Sequence, residues 1–413
     1  MRIVQVLHGW PAPKMGGTGL YVDALARELA AQGHVVAIAA PGPGTETSRV
    51  SIEAGVETWQ IATPTMRRWR DTWDQSNGAW SKWMGEWSPD VAHFHHLSGF
   101  PLSMVAESSC RTILTLHDYA VPCARGQLVT ADLTPCEGPS PIRCSTCLGP
   151  ALKSGPLAAA VGRILKRTPS IYKAARRHIE RAPARPHPDV ADRIRTAELA
   201  LEAADVLLSP SADLARRFAG LGLRAPELTR LPLLNRPAAP SPKTSSGPVR
   251  FLFASSIIPT KGPDRVIEAF SKLKGSATLT VAGHAPPFDG HPGFGEATKR
   301  LADTLPGVEW LGAIPSAEVP AIMSNHDVLV LPSIWPENSP LVVREATAAG
   351  MRVIASKVGG VSELDPEATL VESSEDLLQA MQSAVVQGRQ RRPTVEWPTV
   401  QAHTETLLTD VYR

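Results

Sequence analysis

Short, mostly apolar runs of strand length stand at 3–7, 34–40, 91–95, 112–116 and 206–209, with segments of a different rhythm between them. In 20–32 the apolar residues Leu20, Ala24, Leu25 and Leu29 alternate with charges at helical spacing, and Gly33 follows where a helix-ending glycine belongs. Strand, glycine loop, helix, strand is a βαβ unit, and its repetition builds a parallel sheet. The pattern then lapses over 236–248, RPAAPSPKTSSGP, which has no apolar period and reads as a linker. After it the same order restarts, with strands expected at 250–255, 277–282, 309–311, 328–331 and 352–355. Helices are expected at 262–273 and 341–349, and a last one near 399–412.

This pattern predicts an α/β chain of two Rossmann-like domains facing across a cleft, where ligands of such sheets bind. The expected boundaries are 1–240, with a cysteine-rich insertion at about 119–150 and a basic insertion at about 151–190, then 249–395, then a terminal helix, 396–413, packing back on the first domain. A length of 413 residues agrees, being too long for one ordinary core. Forty-two basic and 40 acidic side chains leave a net charge of +2, which gives no global field for nucleic acid. The opening MRIVQVLHGW lacks the basic stretch and apolar run of a secretory signal, and no run of about 18 apolar residues suggests a spanning helix. The expected location is the cytoplasm, where thiols stay reduced.

The residues able to do chemistry gather at strand ends. Pro336-Glu337-Asn338-Ser339-Pro340-Leu341-Val342-Val343-Arg344-Glu345-Ala346 places one carboxylate in the loop after 328–331 and a second on the following helix. A loop entering a helix presents free N–H groups and a positive dipole end, which suits a diphosphate and sugar hydroxyls. A carboxylate on the first turns can accept from a ribose diol. By spacing alone the pair also reads as solvated helix charges. Lys261-Gly262 follows one strand and opens a helix, Met15-Gly16-Gly17-Thr18-Gly19 precedes another helix, and His117-Asp118 ends the strand 112–116. The glycines do not spell G-x-G-x-x-G, so a dinucleotide fingerprint is not supported. In His93-Phe94-His95-His96, strand alternation puts His93 and His95 on one face and His96 on the other.

The segment 327–363 resembles the E-x7-E signature of retaining glycosyltransferases of family 4, which have the GT-B fold. It carries Asp327-Val-Leu-Val-Leu-Pro-Ser333 before the acid pair, and Arg352-Val-Ile-Ala-Ser356 and Gly359-Gly360-Val361-Ser362-Glu363 after it. The resemblance covers almost the whole chain and is densest from about 250 to 365. It implies that Glu345 holds the donor ribose and Glu337 sits at the donor sugar. The backbone of Asn338, Ser339, Pro340 and Leu341 would bind its hydroxyls and phosphate. Lys261 would neutralise the diphosphate as negative charge builds on departure. Gly16 and Gly17 would let the backbone approach the donor phosphate and the acceptor, and His117 would contact the donor sugar. Where the family carries glycine and arginine before that lysine, this chain has Ser255 and Ser256. No Asp-x-Asp stands at a strand end, so no catalytic metal is expected.

The implied activity is transfer of a sugar, with retention, from a nucleotide-diphosphate donor to a glycan or lipid-linked acceptor in surface polysaccharide assembly. Rival readings are a GT-B epimerase or phosphorylase, and a non-catalytic nucleotide-sugar-binding scaffold. Cys123, Cys136, Cys144 and Cys147, the last two as C-x2-C, read as a structural Zn²⁺ site, against the alternatives of disulfides, free thiols or an iron–sulfur cluster. Trp69, Trp73, Trp80 and Trp87 share helical spacing beside Arg67, Arg68 and Arg70. They form either a helix packed on the sheet or a membrane-interface surface. The basic stretch from Lys153 to Arg185 is the second candidate for contact with the inner face of the plasma membrane.

Overall fold

A computed structural model describes residues 1–10, 16–43, 46–63, 78–148, 186–234 and 246–413. The chain divides into two compact units. The first comprises Met1–Leu128, Cys136–Leu234 and Pro398–Arg413, and the second comprises Val129–Pro135 and Asn235–Trp397.

The first unit is built on eight strands: β1 (Arg2–Val6), β2 (Val35–Pro43), β3 (Ser48–Glu53), β4 (Val56–Thr63), β5 (Val91–Phe94), β6 (Arg111–Thr115), β7 (Val206–Ser209) and β8 (Glu227–Leu228). They lie in the order β3-β4-β2-β1-β5-β6-β7-β8, parallel throughout except for β3 against β4. Ile3, Val4 and Val6 are fully buried, as a strand covered on both faces requires. The helix Gly17–Ala31 turns Tyr21, Val22, Leu25, Ala26 and Leu29 onto Ile3, Val36 and Ile38. Each such aliphatic side chain taken from water contributes about 1.5–3 kcal/mol.

The β3–β4 hairpin is absent from the sequence expectations. Its two-residue turn has Ala54 at φ 49° and Gly55 at φ 78°, both in the left-handed region that lets a tight hairpin match strand twist. Ala54 supplies no turn signature, and every residue of β3 is at least partly exposed. The helices Pro188–Ala203, Ala212–Gly220, Phe294–Asp303 and Ser374–Gln387 are likewise additions.

The helix Gly78–Trp87 buries Trp80, Trp83, Met84 and Trp87. Trp83 stacks on Trp87 at 5.5 Å and meets Trp59 of β4 at 5.6 Å. Of the two readings of the tryptophan stripe, the structure takes the packed one for Trp80 and Trp87. Trp69, Trp73 and the neighbouring arginines lie outside the described residues, as does the basic stretch 153–185. Among the described residues no helix is long and apolar enough to cross a membrane.

The second unit has six parallel strands: β9 (Val249–Ala254), β10 (Ala277–Ala282), β11 (Val308–Gly312), β12 (Val328–Leu331), β13 (Arg352–Ser356) and β14 (Thr369–Val371), in the order β11-β10-β9-β12-β13-β14. Alternate residues feed opposite cores. Phe251, Phe253, Val328 and Val330 join one cluster, while Leu252, Leu329 and Leu331 join the other.

The tail belongs to the first unit. Its helix Val400–Thr406 runs into a π-turn, Leu407–Val411. Leu407 and Tyr412 enter the same cluster as Ile3 and Leu7, and the Tyr21 hydroxyl lies 2.8 Å from His403 Nε2.

Candidate functional site

In the second unit, neighbouring strands β9 and β12 end at the same sheet edge, so the loops leaving them meet. The first loop makes the turn Pro259–Lys261 and enters the helix Pro263–Phe270 through Gly262. The second runs through 332–340 into the helix Leu341–Ala348. The Ile334 amide donates to Thr260 O at 2.9 Å, and Arg265 Nη1 donates to Pro332 O at 2.9 Å. Gly262 has φ 71°, and a Cβ there would stand 2.6 Å from Pro332 O. Glycine is therefore required for the two loops to touch and for Lys261 to reach across.

Lys261 Nζ donates to Glu337 Oε1 at 2.6 Å. Ser333 Oγ and Trp335 Nε1 donate to that same oxygen, at 2.5 and 2.9 Å. Glu337 is only 3% exposed. A carboxylate that deep is tolerable because one cation and two neutral donors replace its water. All three donors use Oε1, and among the described residues none reaches Oε2. The Lys261 ammonium also lies 4.6 Å from the centroid of the Trp335 ring, a cation–π contact that fixes its side chain. Behind Glu337, Gly360 N donates to Glu337 O at 2.6 Å. Gly359, at φ 78°, approaches so closely that a Cβ would sit 2.1 Å from that carbonyl oxygen.

Glu345 is buried on the helix Leu341–Ala348, whose first turn follows Asn338, Ser339 and Pro340. Arg344 Nη2 donates to Ser339 O at 3.4 Å and ties that entry down. Ser255 and Ser256 leave β9 at the same edge, half-buried. The second unit thus gathers Lys261, Glu337, Glu345 and a helix entry along one edge. Ser333, Trp335 and Gly359 complete it, although in the sequence 333 and 359 are only flanking matches and Trp335 carries no signal.

In the first unit, His117 and Asp118 follow β6 at its carboxyl end. His117 Nε2 lies 3.2 Å from His95 Nδ1. His96 turns the other way, as strand alternation predicted. It contacts Asp118 Oδ2 at 2.9 Å and packs tilted against the His8 ring, centroids 4.2 Å apart. Burial alone would raise the Asp118 carboxyl, but His96 and the Ala120 amide bring it below its ordinary value. Gly16 caps the helix Gly17–Ala31 with ordinary negative φ, and a Cβ added there would meet nothing within 4 Å among the described residues. Its backbone angles do not require glycine at 16.

Cys123, Cys136, Cys144 and Cys147 are half-buried thiols in no disulfide. The Gly138 amide donates to Cys136 Sγ and the Ser140 amide to Cys144 Sγ, each at 3.4 Å. Burial pushes the Cys144 thiol up, and Cys123 and Cys136 add to this, so the three share one electrostatic neighbourhood. Buried Arg193 stands beside Cys123 and Cys144. Among the described residues no three His, Cys, Asp or Glu side chains stand at metal-holding spacing.

Two α/β units of parallel strands, with the chain end returned to the first, constitute the GT-B fold. Residues 237–385 match the family model described as Glycosyl transferases group 1, and residues 15–136 match that of Glycosyltransferase Family 4. Together these matches give the chain the domain make-up of a GT-B glycosyltransferase. A curated relative, glycogen synthase of Mycobacterium tuberculosis, is 32% identical over 129 residues, which cover 30% of this chain and 30% of that protein. Among solved structures, sucrose-phosphate synthase from Thermosynechococcus elongatus aligns over 100% of this chain and 95% of its own, at 15% identity and a TM-score of 0.60. Anabaena HepE in complex with UDP and glucose aligns over 100% and 95%, at 14% identity and a TM-score of 0.57.

Proposed function

We propose that the protein transfers a sugar from a nucleotide-diphosphate donor, with retention and without a catalytic metal, to a glycan or lipid-linked acceptor. One observation carries this reading: a buried carboxylate, Glu337, takes three donors on one oxygen, one of them the Lys261 ammonium. Such an arrangement serves to orient a ligand. Oε2 of Glu337 accepts a donor-sugar hydroxyl. Lys261, an ammonium with three protons, keeps one on Glu337 and turns the others to the diphosphate. As the glycosidic C–O bond breaks, negative charge grows on the leaving phosphate, and a fixed cation there stabilises the transition state more than the ground state. The helix entry at Asn338, Ser339, Pro340 and Leu341 adds N–H groups and a positive dipole end. Glu345 holds the ribose. His117 is the first unit's contact with the bound ligand, and Gly16 and Gly17 leave backbone room for a phosphate. HepE, solved with UDP and glucose, supports the choice of donor class. Retention, acceptor class and a role in surface polysaccharide assembly rest on the family 4 resemblance.

A panel of nucleotide sugars tests the reading first by thermal shift. A true donor at 100 times its dissociation constant stabilises by about 2.7 kcal/mol. Release of nucleotide diphosphate is then measured with and without glycan and polyprenyl-linked acceptors. Glu337→Gln and Lys261→Met are each expected to lower turnover on the order of 10²–10³-fold while the fold survives. Full turnover by both variants, or no shift with any nucleotide sugar, sinks the proposal.

A further inference from the structure

The helix Leu341–Ala348 carries Glu345 but, at 8 residues, is too short to hold its shape alone. Glu345 and Thr347 on it are 6% and 2% exposed. The carbonyls at and just past its end need donors from elsewhere. They find them in the stretch 388–397, which follows the helix Ser374–Gln387, has no regular element of its own and lies wholly in the second unit.

This strap crosses the carboxyl end of the helix on several bonds. Val395 N donates to Thr347 O at 3.1 Å, and Arg392 N donates to Gly350 O at 2.9 Å. Gly350, at φ 72°, permits that path, since a Cβ there would stand 2.7 Å from Arg392 O. Arg391 Nη1 donates to Ala349 O at 2.7 Å. Its Nη2 donates to Ser324 O and, at 2.9 Å, to His326 O, at the end of the neighbouring helix Val319–Asn325. Trp397 Nε1 donates to Thr347 Oγ1 at 3.1 Å, and that hydroxyl donates at 3.0 Å to Arg344 O, the carbonyl just before Glu345.

A tether at one end of so short a helix governs the placement of every side chain on it. Thr347 is two residues past Glu345, about 200° round the axis, so Trp397 grips the face turned away from Glu345 and resists rotation. Arg391 puts a cation where the carbonyl ends of two helices converge, the sign that complements both dipoles. Arg389 is the contrast: on the same strap, it bonds to Asp327 Oδ2 at 3.2 Å and to Ser246 O at 3.3 Å.

We infer that Arg391 and Trp397 are positioning residues for nucleotide binding, acting from the far side of the helix to hold Glu345 in place. That Glu345 meets the nucleotide rests on the function proposed above.

The test titrates UDP, GDP and ADP calorimetrically into the full chain and carries the tightest binder into the variants. Trp397→Phe, which keeps a ring but loses the N–H, and Arg391→Met are each expected to weaken it about 5–10-fold, with Arg391→Lys restoring part of the loss. With the sugar form of that nucleotide, KM should rise while kcat holds, the mark of lost uniform binding. Combined with Glu345→Gln, each strap change should cost less than about twofold, because the group it holds is already gone. Arg389→Met should lower the urea midpoint and leave affinity unchanged. Losses that persist in full beside Glu345→Gln overturn the inference. So do folded Trp397→Phe and Arg391→Met chains that bind like the unmodified one, or an Arg389→Met chain that binds as weakly as they do. If none of the three nucleotides binds, the functional proposal falls and this inference with it, whereas binding without the coupling removes this inference alone.

Discussion

At the scale of single residues, the clearest dependence is of side-chain chemistry on two glycines. Gly262 and Gly359 both have positive φ, and in both a Cβ would collide with backbone, at 2.6 Å from Pro332 O and 2.1 Å from Glu337 O. Gly359→Ala is therefore expected to cost roughly 1–3 kcal/mol of stability and to displace Glu337. The measurement is denaturant unfolding beside donor binding. A variant with unchanged affinity and stability would show that the approach is not required. Ser333→Ala should act more mildly, since Lys261 and Trp335 still hold Oε1 of Glu337. What was readable in advance follows the same division. Glu337, Glu345, Lys261 and His117 stood out because the motif resemblance singles them out; spacing alone left the acid pair equally readable as solvated helix charges. Trp335 and Gln5 did not, because their roles are set by what folds against them. The Gln5–Tyr412 contact spans 407 positions, a distance no local pattern encodes.

Among the elements, strands and helices with a strong apolar rhythm were legible: β1, β9, β12 and the helix Gly17–Ala31 fall close to where alternation and helical spacing put them. Elements whose stability comes from context were missed. The β3–β4 hairpin has an exposed edge strand, and the tryptophan stripe extends to Trp83, which the sequence reading left out of the face. Trp80 has no exposed surface and contacts Trp83 and Phe94, so Trp80→Ala is expected to destabilise the first unit by about 3–5 kcal/mol, read from its melting. The cysteine segment makes a separate case. Its apolar support is small: Leu148 and Val190 are buried with Ala124, Cys144 and Ile194 against them. A cross-link would stabilise such an element more than one with a full core. We expect rotation of the four thiols onto one Zn²⁺, with about one zinc per chain by elemental analysis and a lowered melting temperature after chelation. Protein produced in zinc-replete medium that carries no zinc, and melts alike with and without chelator, would dismiss the site.

For the whole molecule, buried histidines set the response to acid. His93, His95 and His326 are all held below their ordinary pKa by burial, so the unfolded chain binds protons at these rings before the folded chain does. Stability from this source is complete above about pH 6.5 and declines as pH falls below it, by at most about 1.4 kcal/mol per pH unit per ring. Urea unfolding between pH 7.5 and 5 measures this, and a flat profile would count against neutral buried rings. The fold class was visible from the repeated βαβ order on either side of a linker. The tail could be given a helix by its sequence, but its polar partners Gln5, Tyr21 and His93 lie at the far end of the numbering. Deleting 398–413 removes Leu407 and Tyr412 from the core that holds Ile3 and Leu7, and is expected to unfold the first unit. The same return of the chain bears on how the protein can be divided. A single engineered cut between the units leaves the later fragment still anchored by its own last residues. Two halves produced in the same cell should then fold together, co-purify in native buffer and part only in denaturant, whereas the earlier half made alone should not fold.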